Sequence, residues 1–322
     1  MSGLMLAWGL AACGEEVEVA PQLAAPPTRT PQPPTPTLSV EDRLENVAIV
    51  FLADPIAAYL DAAEGRSPID RPEIFHDAVI AAVPDCFAST YHPGVEPLEL
   101  LQFNPVSVDN EAWRAVLDAS PREAMEAALR DTLATVITAL PVDHPLRLCV
   151  VPVPVPHPQD VPEAEAPAGI HGAEALSPDL LILWCSGGDS CTEFLATDLA
   201  YAYYYAVQIG YTGLIYPDVP LLYFMLYAAR AAEFSRALFP DAVYPWDGFA
   251  LLPEQEATLW AAMQPHLRVT YSERIESRKI DRFLNGRENS PDYPLWGGMI
   301  VAENILRAYR ARHPDISWAE LA

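Results

Sequence analysis

The chain is poor in basic residues: it has 19 Lys and Arg against 44 Asp and Glu among 322 residues, so its formal net charge is −25. A surface of this sign repels phosphate backbones, and nucleic acid is therefore not expected as a partner. The acidity alone is explained by solubility and dispersal. Hydrophobic residues make up 51% of the chain, which is enough for one large domain or two small ones.

Histidines with the spacing of metal ligands are also lacking. None of the seven histidines is followed by a second one at position i+2 or i+4. Such spacing places two imidazoles on one side of a helix or strand, where both can reach the same ion. A metal site would therefore have to be assembled from scattered histidines. The simpler interpretation of His157 and His171, which flank a Pro-rich stretch, is that they are solvated loop residues.

The apolar run at residues 3–12 is too short to span a bilayer, and no Lys or Arg precedes it. It ends in Leu-Ala-Ala-Cys-Gly, which resembles the lipobox of bacterial lipoproteins, in which the cysteine is acylated and becomes the new N-terminus. The resemblance implies a signal peptide at 1–12 and a lipid anchor on Cys13. The protein would then be extracytoplasmic and would touch the bacterial cell membrane only through this anchor. The alternative is a cytosolic protein with an apolar N-terminus.

Residues 13–38 are dense in proline, which removes backbone donors and favours an extended polyproline II chain. They are predicted to form a disordered tether between the anchor and a folded domain. Because one acyl chain binds a membrane only marginally, stable anchoring would need more than one.

Residues 39–322 are predicted to form one mostly helical α+β domain with a small β-sheet. Two short apolar runs, 146–153 and 179–185, are bounded by turn residues and predict strands. The apolar stretch 199–216 contains Gln208 and many tyrosines, which favour a buried helix and turn over a membrane span. Helical periodicity and start signals predict helices at 55–63, 72–89, 110–119, 120–140, 192–209, 220–238, 253–263 and 298–312.

The number of cysteines agrees with that of an exported protein. If Cys13 is lipidated, four remain, and an even number in an exported domain suggests disulfides with three arrangements. The favoured pairs are Cys185–Cys191, which would close a short loop, and Cys86–Cys149. Buried free thiols are the alternative, because connectivity does not follow from sequence.

The segment Asp-Leu-Ala-Tyr-Ala-Tyr-Tyr-Tyr-Ala-Val-Gln has the frame of a zinc-protease helix without its ligands. Such a helix carries two histidines four residues apart and a glutamate directly after the first. Here "LAYAYYYAV" resembles "LAHEYHHAV", a motif of a bacterial family of predicted zinc-dependent proteases. Tyr201 and Tyr205 stand in place of the two histidines, Tyr204 in place of an additional histidine, and Ala202 in place of the glutamate.

The resemblance covers roughly residues 146–322. It includes "CVVP", "GIHG", "AARAAEFSRALFP" and the final segment that starts with "PLWGG". At Ala229 the family has a glutamate that is implied to be its third zinc ligand, and at Arg230 it has glycine. A zincin-like metalloprotease fold is therefore implied for this part of the chain.

The replacements remove the chemistry. A neutral phenol is a poor zinc ligand and alanine is none, so neither catalysis nor a zinc cofactor is expected at Tyr201, Ala202, Tyr205 and Ala229. The sequence thus predicts a pseudoenzyme that binds a peptide, a polymer or a partner protein, with Tyr201, Tyr204, Tyr205 and Arg230 in the cleft. The alternatives are an active metal-dependent hydrolase with non-standard ligands and a purely structural envelope protein.

Overall fold

The structure is a computed structural model that describes residues 38–101, 108–119, 122–154, 172–186, 189–270, 272, 277–287, 290 and 292–322. The predicted signal peptide, Cys13 and the tether up to residue 37 lie outside these residues. Residues 38–322 cluster into one compact unit.

A four-stranded mixed sheet forms the centre of this unit, with strand order β1-β2-β4-β3. β1 pairs with β2 and β2 pairs with β4 in parallel, whereas β3 is antiparallel to β4. The predicted α+β class is confirmed. The strands are β1 Val47–Phe51, β2 Leu146–Val153, β3 Gly172–Ser177 and β4 Leu180–Ser186.

Helices cover both faces of the sheet. They are α1 Val40–Glu45, α2 Ala53–Ala62, α3 Arg71–Phe75, α4 Asn110–Ala119, α5 Arg122–Ala139, α6 Asp189–Thr212, α7 Leu221–Leu238, α8 Pro253–Met263, α9 Ser277–Leu284, α10 Gly297–Arg312 and α11 Trp318–Leu321. No helix among the residues described is long and apolar enough to cross a membrane.

Strand β2 shows why the sheet is buried on both sides. Its side chains alternate between two apolar clusters: Leu148 and Val150 pack on the side of α5 and α6, whereas Cys149 and Val151 pack on the side of α2 and α4. Parallel strands covered by helices on both faces consist of nearly continuous apolar residues, as β2 does.

One predicted helix is shorter than expected. The prediction at 72–89 corresponds to α3, a π-helical turn at His76–Ile80 and a 3-10 turn at Pro84–Cys86. The prediction was wrong beyond residue 80, because the ring of a proline disfavours helical geometry at the preceding residue. Val83 accordingly has φ −134° and ψ 58°.

A disulfide ties this segment to the sheet. Cys86 and Cys149 are bonded, with their Cα atoms 5.8 Å apart, and this is the pairing favoured from the sequence. Cys185 is also disulfide-bonded. The side chain of Cys191, its expected partner, lies outside the described residues.

Candidate binding site

Tyr201 and Tyr205 lie one turn apart on α6, which is 24 residues long and packs on β3, β4, α5 and α7. Their ring centroids are 6.2 Å apart, the ring planes are inclined by 30° to each other, and both side chains are half-buried. Tyr205 meets Tyr227 of α7 edge to face at 5.3 Å, and Tyr201 meets Tyr244 at 5.6 Å. The two tyrosines predicted from the zinc-protease frame therefore form one continuous aromatic surface.

A second group of polar residues borders Tyr205. The hydroxyl oxygens of Tyr205 and Tyr91 are 3.4 Å apart. Beside Tyr91, His92 places Nε2 3.3 Å from Oε1 of Glu174, which belongs to strand β3 at the edge of the sheet. The His92 ring also packs against Tyr216 at 4.9 Å.

These neighbours could not be identified from the sequence. Tyr91 and His92 lie more than a hundred residues before Tyr205, and no spacing relates them to it. His92 was noted only as one of the scattered histidines. The one signal that could have suggested them is the Tyr-His-Pro-Gly turn sequence at 91–94.

Burial controls the charge state of this surface. It raises the pKa values of Tyr201, Tyr205 and Tyr91, and the nearby Glu174 carboxylate raises them further because it opposes a second negative charge. Burial also raises the pKa of Tyr227 to about 12. The phenols therefore remain neutral hydrogen-bonding groups at ordinary pH.

This burial predicts a loss of stability in alkali. Tyrosines in the unfolded chain ionise near pH 10, whereas the buried ones keep their protons, so above that pH the folded state binds more protons and stability falls as pH rises. Each such tyrosine contributes up to about 1.4 kcal/mol per pH unit. Urea unfolding between about pH 9 and pH 11 measures the slope. Tyr205→Phe should make the slope shallower, and an unchanged slope would contradict the assignment.

The alanines of the zinc-protease frame occupy different surroundings. Ala202 is fully buried in the cluster between α6, α5 and the sheet. Ala229 packs instead with Leu259 and Met263 of α8 in a separate apolar cluster. One turn further along α7, Ala232 belongs to the cluster against which Tyr201 packs. The structure therefore brings Tyr201 and Tyr205 together, and places Ala229 in an apolar cluster that α7 shares with α8, α9 and α10.

No three His, Cys, Asp or Glu side chains in the described ranges are grouped so that they could hold a metal ion. Near Tyr205, His92 and Glu174 are of the types that bind zinc. Together they supply only one imidazole and one carboxylate.

The other two predicted cleft residues lie elsewhere. The hydroxyl of Tyr204 donates to the carbonyl oxygen of Trp318 at 3.0 Å, and its ring packs on Phe234 at 4.8 Å. Burial raises the pKa of Tyr204, and the positive charge of Arg230 opposes this increase, so the two residues are neighbours. The four residues thus form two pairs, Tyr201 with Tyr205 and Tyr204 with Arg230.

A charged network supports the Tyr201 side of the surface. Tyr244 stacks on Trp246 at 5.1 Å, and the guanidinium of Arg236 lies 4.8 Å from the centre of the Tyr244 ring. The buried Glu303 accepts hydrogen bonds from Arg236 at 2.7 Å, from the indole N–H of Trp246 at 2.6 Å and from Arg307 at 2.9 Å. These contacts hold Tyr244 and Trp246 in place, and Tyr201 packs against Tyr244.

Comparison with protein-family models, with curated proteins and with solved structures finds no match for this chain. Its function is therefore inferred from the geometry of Tyr201, Tyr205 and the residues around them.

Proposed function

We propose that the chain is a non-catalytic binding protein: a zincin-like pseudoenzyme, anchored by lipid at the bacterial cell envelope, that holds an extended peptide segment of a partner protein. The observation that carries this proposal is the position of Tyr201 and Tyr205. They lie together on one helix and border strand β3 at the edge of the sheet, and in the resemblance to the zinc-dependent proteases they stand in place of two histidines.

The aromatic surface favours binding over hydrolysis. Zinc is held by imidazole, thiolate or carboxylate, and a phenol competes only after losing its proton. The pKa values of Tyr201 and Tyr205 are raised by burial, so deprotonation is harder here than in water. Ala202, at the place of the general base, carries no proton acceptor.

The edge of the sheet favours an extended peptide as the ligand. β3 pairs with β4 on one side, and an edge strand can accept an added strand through its backbone groups. At one end the outer side is already covered, because the carbonyl oxygen of Leu176 accepts from the backbone N–H of Tyr91 at 3.0 Å. From this point β3 runs back to Glu174, which is the part of the edge that borders Tyr91 and Tyr205.

The tyrosines suit such a ligand. Their rings offer apolar area with little conformational freedom to lose, and their hydroxyls can donate to or accept from peptide groups. Glu174 adds a negative charge at the same rim, which favours peptides with Lys or Arg. The lipobox and the Pro-rich tether imply that this surface is presented outside the membrane.

Panning a displayed library of random peptides against the full chain tests the proposal. We expect basic extended peptides to be enriched, and their affinity to fall by about tenfold or more in Tyr205→Ala, because a buried aromatic contact typically contributes over 1.4 kcal/mol. Tyr211→Ala is the matched control, since Tyr211 lies on the same helix but is 48% exposed.

Three results would overturn the proposal. Equal peptide affinity in Tyr205→Ala and Tyr211→Ala would show that the peptide does not bind at Tyr205. Stoichiometric zinc in the purified protein, with cleavage of the selected peptides that a chelator abolishes, would identify an active peptidase. Failure to enrich any peptide would leave the purely structural role.

A further inference from the structure

Arg230 on α7 is a half-buried cation for which the described part of the chain provides no ion-pair or hydrogen-bond partner. Its Nε atom is buried and has no hydrogen-bond acceptor in the structure. None of the ion pairs between described residues includes it. Burying a guanidinium without pairing it is costly, so an unpaired one is unusual in a chain with 44 acidic residues.

Three other arginines of α7 and α10 are paired, and Arg312, at the end of α10, is exposed to solvent. Arg236 bonds Glu303 at 2.7 Å, Arg307 bonds Glu303 at 2.9 Å, and Arg310 bonds Glu233 at 2.9 Å. The carboxylates of α7 and α10 are thus directed to these three side chains. Arg230 differs from the exposed Arg312 in being half-buried, so an anion from outside the chain would compensate a charge that water solvates poorly.

Tyr227 and Tyr223 precede Arg230 by about one and two turns of α7, with ring centroids 5.9 Å apart, and Tyr309 lies on α10, which packs on α7. Burial lowers the pKa of Arg230, and the phenols of Tyr204, Tyr227, Tyr223 and Tyr309 act in the opposite direction. Of these, Tyr223 and Tyr309 are 38% and 44% exposed, so they stand where a ligand could approach. Their hydroxyls can donate hydrogen bonds, and their rings offer apolar contact.

We propose that Arg230 anchors a second binding site, which takes a monocarboxylate whose apolar portion lies against Tyr223 and Tyr309. A guanidinium binds a carboxylate through two parallel N–H bonds, for which the unpartnered Nε–H supplies one donor. A carboxylate fits better than a phosphate because a chain with a net charge of −25 repels the second negative charge. The apolar portion accounts for the exposed rings.

This site is centred on a different residue from the proposed peptide surface, although the two adjoin at Tyr227. It lies with Tyr204 at the junction of α6, α7 and α10, whereas the peptide surface borders β3. Arg230→Met, which leaves Tyr201 and Tyr205 unchanged, is therefore expected to remove carboxylate binding while peptide binding is retained.

Nuclear magnetic resonance of the arginine Nε–H groups in the full chain tests this site, with benzoate as the probe. We expect the Arg230 resonance to shift and saturate with a dissociation constant on the order of 1 mM, and the affinity to fall about tenfold in Arg230→Met. Arg230→Lys should lose affinity as well, because an ammonium lacks the paired donors. Arg66→Met, which removes an exposed charge far along the chain, should bind benzoate like the parent.

The control ligands are acetate and inorganic phosphate. Acetate should bind more weakly than benzoate, since it lacks the ring; equal affinity would overturn the role of Tyr223 and Tyr309. Tighter binding of phosphate would overturn the choice of a carboxylate. If Arg230→Met does not fold, the parent protein still decides. An Arg230 resonance that does not shift with benzoate, or whose shift does not saturate, would overturn the site itself.

Discussion

Replacing Cys86 and Cys149 together with alanine is expected to lower the free energy of unfolding by about 4 kcal/mol. The disulfide closes a loop of 63 residues, and removing it increases the conformational entropy of the unfolded chain. It also joins the irregular segment after α3 to the central strand β2, so the loss should be felt in the whole unit. Urea or guanidinium unfolding measures the difference.

The single variants provide the control. Cys86→Ala and Cys149→Ala each remove the same bond, so each should cost about as much as the double variant. If the cost came from lost packing at two independent buried positions, the two single effects would instead add up. A double variant that loses the sum of the two would contradict a stabilising crosslink. Single variants are also more informative than a reductant, which would act on Cys185 as well.

Replacing Glu303 with alanine is expected to lower the free energy of unfolding by about 3 kcal/mol. Its side chain is 7% exposed and accepts from Arg236, Arg307 and the indole of Trp246. Removing it would leave Arg236, which is 20% exposed, with Asp247 alone. Breaking one side of a buried ion pair is costly because the remaining charge stays poorly solvated.

Glu126→Ala is the matched control for this variant. Glu126 pairs with Arg130 one turn away on the surface of α5, and such exposed pairs contribute about 0.5 kcal/mol or less. Equal losses in the two variants would contradict the role assigned to Glu303. Because the network holds Trp246 and Tyr244 against Tyr201, Glu303→Ala should also weaken peptide binding under conditions in which it stays folded.

The local pattern of residues accounts for the correct part of the fold prediction. β2 and β4 are apolar runs bounded by turn residues, and α6 and α7 carry apolar residues at helical spacing, so their existence follows from sequence. β3 was missed because Gly-Ala-Glu-Ala-Leu-Ser has little strand preference, and its extended form is imposed by pairing with β4. β1 was also missed, although Val-Ala-Ile-Val-Phe has high strand preference, so its existence could have been predicted from the sequence.

The sequence by itself determined the chemical groups on this face of α6: the neutral phenols of Tyr201 and Tyr205 are poor zinc ligands, and Ala202 supplies neither a ligand nor a general base. The tertiary structure decided which residues are neighbours. It placed Tyr91, His92 and Glu174 beside Tyr205, grouped Tyr204 with Arg230, and put Ala229 in the apolar cluster of α7, α8, α9 and α10. Helical spacing fixes the distance between Tyr201 and Tyr205, because they share one helix. Contacts between distant segments depend on how sheet and helices pack, and no local pattern encodes that.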